Sequence, residues 1–152
     1  MQIIMSEAFD LQPEANGAPL LAALPVLPRL ERLVLELVEQ PGVVLPAGPW
    51  QASLRQLAAP GDLLQASLPL LDEAARLEEL GVFSTCQEQE QAAAMSILAW
   101  AAEQRAVPLR RLALQEMRQR PTVALFNACM AAKDRRPHMA IQIVSTDCLL
   151  TD

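Results

Sequence analysis

Aromatic side chains are nearly missing from this sequence, which has two Trp, three Phe and no Tyr among 152 residues. Any core must therefore be filled by Leu, Ala, Val and Met. Glycine is also scarce: the five present build neither GxxxxGK[ST] nor GxGxxG, so the backbone cradles that hold nucleotide phosphates are lacking. With one histidine, His138, a Ser-His or Cys-His mechanism would have to converge on a single side chain. The three cysteines, Cys86, Cys129 and Cys148, are odd in number and widely spaced. They suggest neither a disulfide framework nor a zinc site, and buried thiols are expected. No metal and no cofactor is expected. No stretch approaches about 18 apolar residues without a charge or proline, so a membrane span is not expected. The amino-terminal MQIIMSEAFD lacks the basic start of a secretory signal, which makes the cytoplasm the expected compartment.

What is present is apolar and helix-forming. The chain is 52% hydrophobic and 20% charged, with a net charge of -6 that excludes a globally basic nucleic-acid binder. A single domain of this length buries roughly 68–70% of its unfolded surface, enough for a real core. Leu and Ala favour helices, whereas sheets favour β-branched and aromatic residues. The expectation is an all-α or nearly all-α fold, a compact bundle or short stack of about six helices. The twelve prolines fall mostly between periodic segments, as punctuation.

The spacing predicts a first helix over residues 28–40, with Leu30, Leu33, Val34, Leu37 and Val38 on one face. A second opens near Pro49 or Trp50 and ends before Pro60. A third spans 62–80, with Asp62 as its N-cap, a kink near Ser67 and Gly81 as its C-cap. Thr85 and Glu88 match a capping box for a helix over 85–106, with Ala92, Met95, Ser96, Ala99 and Ala102 inward. Pro108 and Pro121 open two shorter helices, over 108–119 and 121–133. The tail alternates at Met139, Ile141 and Ile143, so a strand near 139–145 is expected, with residues 2–5 as its candidate partner in a small two-stranded ribbon. No fixed-period repeat emerges. The whole is expected to be one helical domain, with 1–27 as an irregular lead-in and 138–152 as a strand-like tail.

Catalytic chemistry finds little support. The pairs Asp72-Glu73 and Glu78-Glu79 would point about 100° apart on a helix, and the better-spaced Glu36 and Glu39 suit a solvated face. The charge is uneven, however: residues 1–80 carry -7 and residues 81–152 carry +1, with +6 concentrated over 105–136. Eleven of the twelve basic residues are Arg, which forks onto carboxylates and stacks well. Arg110, Arg111, Arg118, Arg135 and Arg136, with Trp50 as an anchor, are therefore candidate partner-binding residues. The acidic half of the chain could also satisfy this cluster internally. The function expected is a non-enzymatic interaction module that binds another protein or itself as a homodimer, without membrane attachment and with nucleic acid unlikely. The alternatives are an enzyme whose carboxylates and arginines meet only in the fold, and a nucleic-acid-associated regulator using residues 105–136.

Overall fold

The computed structural model describes residues 2–5, 29–35, 45–83, 90–104, 106–117 and 122–145. They form a six-stranded, all-parallel sheet whose strands follow one another in chain order: β1 (Gln2–Met5), β2 (Arg32–Leu35), β3 (Gln56–Pro60), β4 (Glu79–Phe83), β5 (Arg111–Met117) and β6 (Ala140–Ser145). Five helices lie between them: α1 (Trp50–Ser53), α2 (Gly61–Ala66), α3 (Leu68–Leu71), α4 (Glu90–Glu103) and α5 (Val123–Arg135). The fold is thus α/β, which overturns the all-α expectation and with it the helical bundle.

Four strands are built from one short pattern. Leu30-Glu-Arg-Leu33-Val-Leu35, Leu54-Arg-Gln-Leu57-Ala-Ala59, Leu77-Glu-Glu-Leu80-Gly-Val82 and Leu109-Arg-Arg-Leu112-Ala-Leu114 share apolar residues at positions one, four and six. The pairing places Leu33, Leu57, Leu80, Leu112 and Ile141 in one row and Ala59, Val82, Leu114 and Ile143 in another. The four leucines of the first row are almost fully buried, as are Leu30, Leu54, Leu77 and Leu109 ahead of the strands. A repeat does exist, then, with 24, 23, 32 and 29 residues between equivalent positions. The backbone repeats as well. The carbonyl of Glu31 accepts from the N–H groups of Arg55 and Gln56, that of Arg55 from Glu78 and Glu79, and that of Glu78 from Arg110 and Arg111.

Helical regions were partly anticipated. Helix α4 lies within 85–106, though Thr85 and Glu88 fall outside the described residues. Its buried side is Ala93, Ala94, Ile97, Leu98 and Ala101, while Ala92 and Ala99 face solvent. Helix α5 matches the one expected over 121–133, with Thr122 as its N-cap, accepting from the Leu125 N–H. The break at Ser67 separates α2 from α3, and the buried Ser67 hydroxyl accepts the Leu45 N–H at 3.0 Å. Elsewhere the helix reading gives way. Residues 32–35, 56–60 and 111–117 are strands, α1 is a single turn, and the third expected helix ends long before residue 80. Asp62 stands in the first turn of α2 rather than at its cap, and Gly81 lies within β4. The tail strand is present as β6, but it pairs with β5, and β1 pairs with β2 at the opposite edge, so the terminal ribbon does not form.

Packing follows from the order of the strands. Helix α2 rests on α4 and α4 on α5 in a single layer over the leucine rows. Trp50, Leu45 and Leu64 join that one core. Among the described residues, no helix is long and apolar enough to cross a membrane. If strand alternation sets the core, Leu80→Ala costs about 2–5 kcal/mol in urea unfolding. Glu79→Ala, one residue away, then stays within about 0.5 kcal/mol. Equal losses would contradict the register.

Candidate functional site

Because the described helices lie on one side, the other face of the sheet is lined by the residues between the leucines. Arg32, Gln56, Glu79, Arg111 and Ala140 form one row in register, and Val34, Ala58, Gly81, Ala113 and Gln142 form the next. Beyond them, Phe83 stands in register with Gln115. From Val34 to Ala113 the middle row is short-chained, so it makes a floor between taller polar side chains. This leaves a shallow depression of about 190 Å³ lined by Arg32, Gln56, Glu79, Arg111 and Gln115 over Val34, Ala58, Gly81 and Ala113.

Gly81 keeps that floor low. A Cβ there would sit 3.0 Å from the Ala58 Cβ and 3.6 Å from the Gln115 Nε2. Since the Ala58 Cβ is fixed to a paired strand, the crowding could be relieved only by moving backbone. The rim is polar and of mixed sign. Glu79 and Arg111 occupy adjacent strands in register, and the Arg111 guanidinium donates to Gln142 Oε1 at 2.6 Å. Just ahead of the strands, Glu31, Arg55, Glu78 and Arg110 alternate in charge across successive repeats. Strands about 4.8 Å apart bring such neighbours within favourable reach.

The expected partner-binding residues are thereby separated. Arg110 and Arg111 are exposed at the start of β5, each beside a glutamate of the preceding repeat, and Arg111 lies on the rim. Arg135 is exposed on α5, lining an outer groove between α4 and α5. Arg136 serves the fold: its guanidinium donates to the carbonyls of Ala101, Gln104 and Val107 at 3.0, 3.0 and 2.6 Å, closing the carboxy-terminal end of α4. Burial lowers its pKa from the ordinary value, but an arginine stays charged throughout the neutral range. Trp50 is fully buried, its indole N–H donating to the Pro46 carbonyl at 2.8 Å, so it offers no surface to a partner. Arg118 lies outside the described residues. Trp100 donates to Asp72 Oδ1 at 2.6 Å and is also nearly buried.

Sequence reasoning missed Gln56, Gly81 and Gln115. The available signal was the variable positions of each L-x-x-L-x-L-x unit, which become neighbours only once the units stack.

Among the described residues, no group of three or more His, Cys, Asp or Glu is arranged to hold a metal ion. Cys129 is buried and unbridged, and burial raises its thiol pKa, holding it in the neutral form at pH values where an exposed cysteine has begun to ionise. The chain matches no protein-family model, no curated protein and no solved structure.

Two outcomes check these assignments. Replacing Arg136 by Ala strands three carbonyls and lowers stability by about 2–3 kcal/mol in chemical denaturation, whereas Arg111→Ala changes it by less than about 0.5. In peptide-resolved alkylation at pH 8.5, Cys129 reacts more slowly than free cysteine, and the gap narrows as the pH rises through its elevated pKa; immediate alkylation would contradict its burial.

Proposed function

We propose that this chain is a non-enzymatic protein-interaction module, a short α/β solenoid of leucine-rich-repeat type, that takes its partner on the face of the sheet that carries none of the described helices. The observation that carries this reading is the in-register floor of Val34, Ala58, Gly81 and Ala113 between rows of longer polar side chains. Parallel sheets are ordinarily covered on both faces. Solenoids are the exception, because stacking units bury one side and leave an extended surface for binding. The apolar pattern L-x-x-L-x-L and three of the four spacings, 24, 23 and 29 residues, fall within the period of such repeats. The two longest units, of 32 and 29 residues, carry the full helices α4 and α5.

A small-molecule site is less well supported. Such sites enclose about 300–1,000 Å³ and bury most of their ligand. The depression here is smaller and shallow, and its alternating Arg, Gln and Glu suit the mixed polar surface of another protein. Arg32, Glu79 and Arg111 do gather carboxylate and guanidinium groups, but on an open face without an enclosing wall. A cytoplasmic setting accords with this reading.

The test is a charge swap. Glu79→Arg with Arg111→Glu keeps opposite charges side by side, so folding is preserved, yet it inverts the pattern shown to a partner. Partners cross-linked to the original chain should bind the swapped chain at least about tenfold more weakly. They should bind Ala99→Glu, altered on the solvent side of α4, equally well. Undiminished binding to the swapped chain would reject the open face as the docking surface.

A further inference from the structure

Along β4, Glu79 and Phe83 flank Gly81, and along β5, Arg111 and Gln115 flank Ala113 in the same register. Four residues of strand set the two flanks about 13 Å apart. The flanks differ in chemistry. On one side the charges are grouped by strand: Glu78 and Glu79 stand together at the start of β4, and exposed Arg110 and Arg111 at the start of β5. The other side carries no charge among the described residues. It runs from the half-buried Phe83 through Gln115 towards Val144, which alternates with the inward Ile143 and is 53% exposed. The open face is therefore a trough with small residues below, a step from acid to base along one side and apolar groups along the other.

We propose that the partner segment taken up here is an α-helix lying across the strands, with small residues on the floor, a Lys or Arg against β4, an Asp or Glu against β5 three or four residues away, and apolar residues towards Phe83 and Val144. The inference rests on the open face being the docking surface and names what docks there. Two dimensions select a helix. Its width with side chains, about 10–12 Å, fills a trough of about 13 Å. Its residues three and four apart recur on one side about every 5.2 Å, close to the strand spacing of about 4.8 Å. Over the rungs Arg32, Gln56, Glu79 and Arg111 the two patterns run out of step by only about 1 Å. An extended peptide presents same-side residues about 6.7 Å apart and falls about 6 Å out of step over that span. Charge complementarity then fixes the order, because a helix with its acid and base exchanged sets like against like on both strands. Gly81 and Ala58 keep the floor low enough for a helix to rest on it, since their Cβ positions already crowd one another at 3.0 Å without rising above the sheet.

The probe is an alanine-based helix of about 18 residues, hydrocarbon-stapled on its solvent side, with Leu along one flank and Glu and Lys four apart along the other, in the order that sets Glu against β5. Fluorescence anisotropy with the full chain should show saturable binding. Glu79→Arg with Arg111→Glu should weaken it at least about tenfold, and a second probe with Glu and Lys exchanged should bind that swapped chain and lose the original one. Ala58→Leu, which raises the floor between unchanged flanks, should weaken the first probe by a similar factor with an unaltered circular dichroism spectrum; the exchanged probes keep the test decisive if that variant unfolds. A proline-interrupted probe with the same flanking side chains should not compete. No binding by either probe, indifference to the charge swap, or equal competition by the interrupted probe would overturn the helix. If cross-linked partners still lose their grip on the swapped chain, the open-face reading then stands without it; partners indifferent to the swap remove both.

Discussion

The structure depends on one row of leucines. Leu33, Leu57, Leu80 and Leu112 sit in register under the helix layer, and each is held at its strand by a second leucine three residues earlier. Burying a leucine contributes about 1.5–3 kcal/mol. A single unit buries its leucines against nothing until the next unit arrives, so the interaction is cooperative along the stack. The shared carbonyls of Glu31, Arg55 and Glu78, each accepting two N–H groups from the next strand, fix the distance and register at which units add. Everything on the opposite face inherits its position from this row.

That inheritance explains how a surface with polar rim and flat floor arises without any contiguous motif. The residues following each leading leucine become the charged columns, and the residue between the two core positions of each strand becomes the floor. Gly81 and Ala58 touch only because β3 and β4 are adjacent. The same logic exposes the last unit. Phe126 and Met130 occupy positions that a following repeat would cover, and the described residues supply none.

Part of this was legible beforehand and part was not. Helices α4 and α5 and strand β6 were readable because their local propensity agrees with their final state: Ala-rich cylinders for the first two, Ile-Gln-Ile-Val alternation for the last. Strands β2 to β5 were not, because leucine and alanine, which favour helices, dominate them: β3 and β5 read Leu57-Ala-Ala59 and Leu112-Ala-Leu114, and Val34 and Val82 are the one β-branched residue each of β2 and β4. The leading leucine, three positions before the next, imitates a helical face. Tertiary burial overrides propensity in these strands, and the clue lay in the recurrence of the unit rather than in any window. Phe126 is exposed because which side of α5 is covered is decided by α4 and not by α5 itself. The arginine cluster is compact in the sequence but spread out in the fold, since Arg136 closes the end of α4 while Arg110 and Arg111 stand beside glutamates of the preceding repeat.

The central claim is that, among the described residues, helices cover one face of the parallel sheet and leave the other open. Solvent paramagnetic relaxation by an uncharged gadolinium chelate tests it residue by residue. The account predicts strong broadening of the Ala58 methyl and of the Gln56 and Gln115 side-chain amides, with the methyls of Leu57, Leu80 and Leu112 left sharp. Equal protection of both sets would show that the second face is covered, and would contradict it.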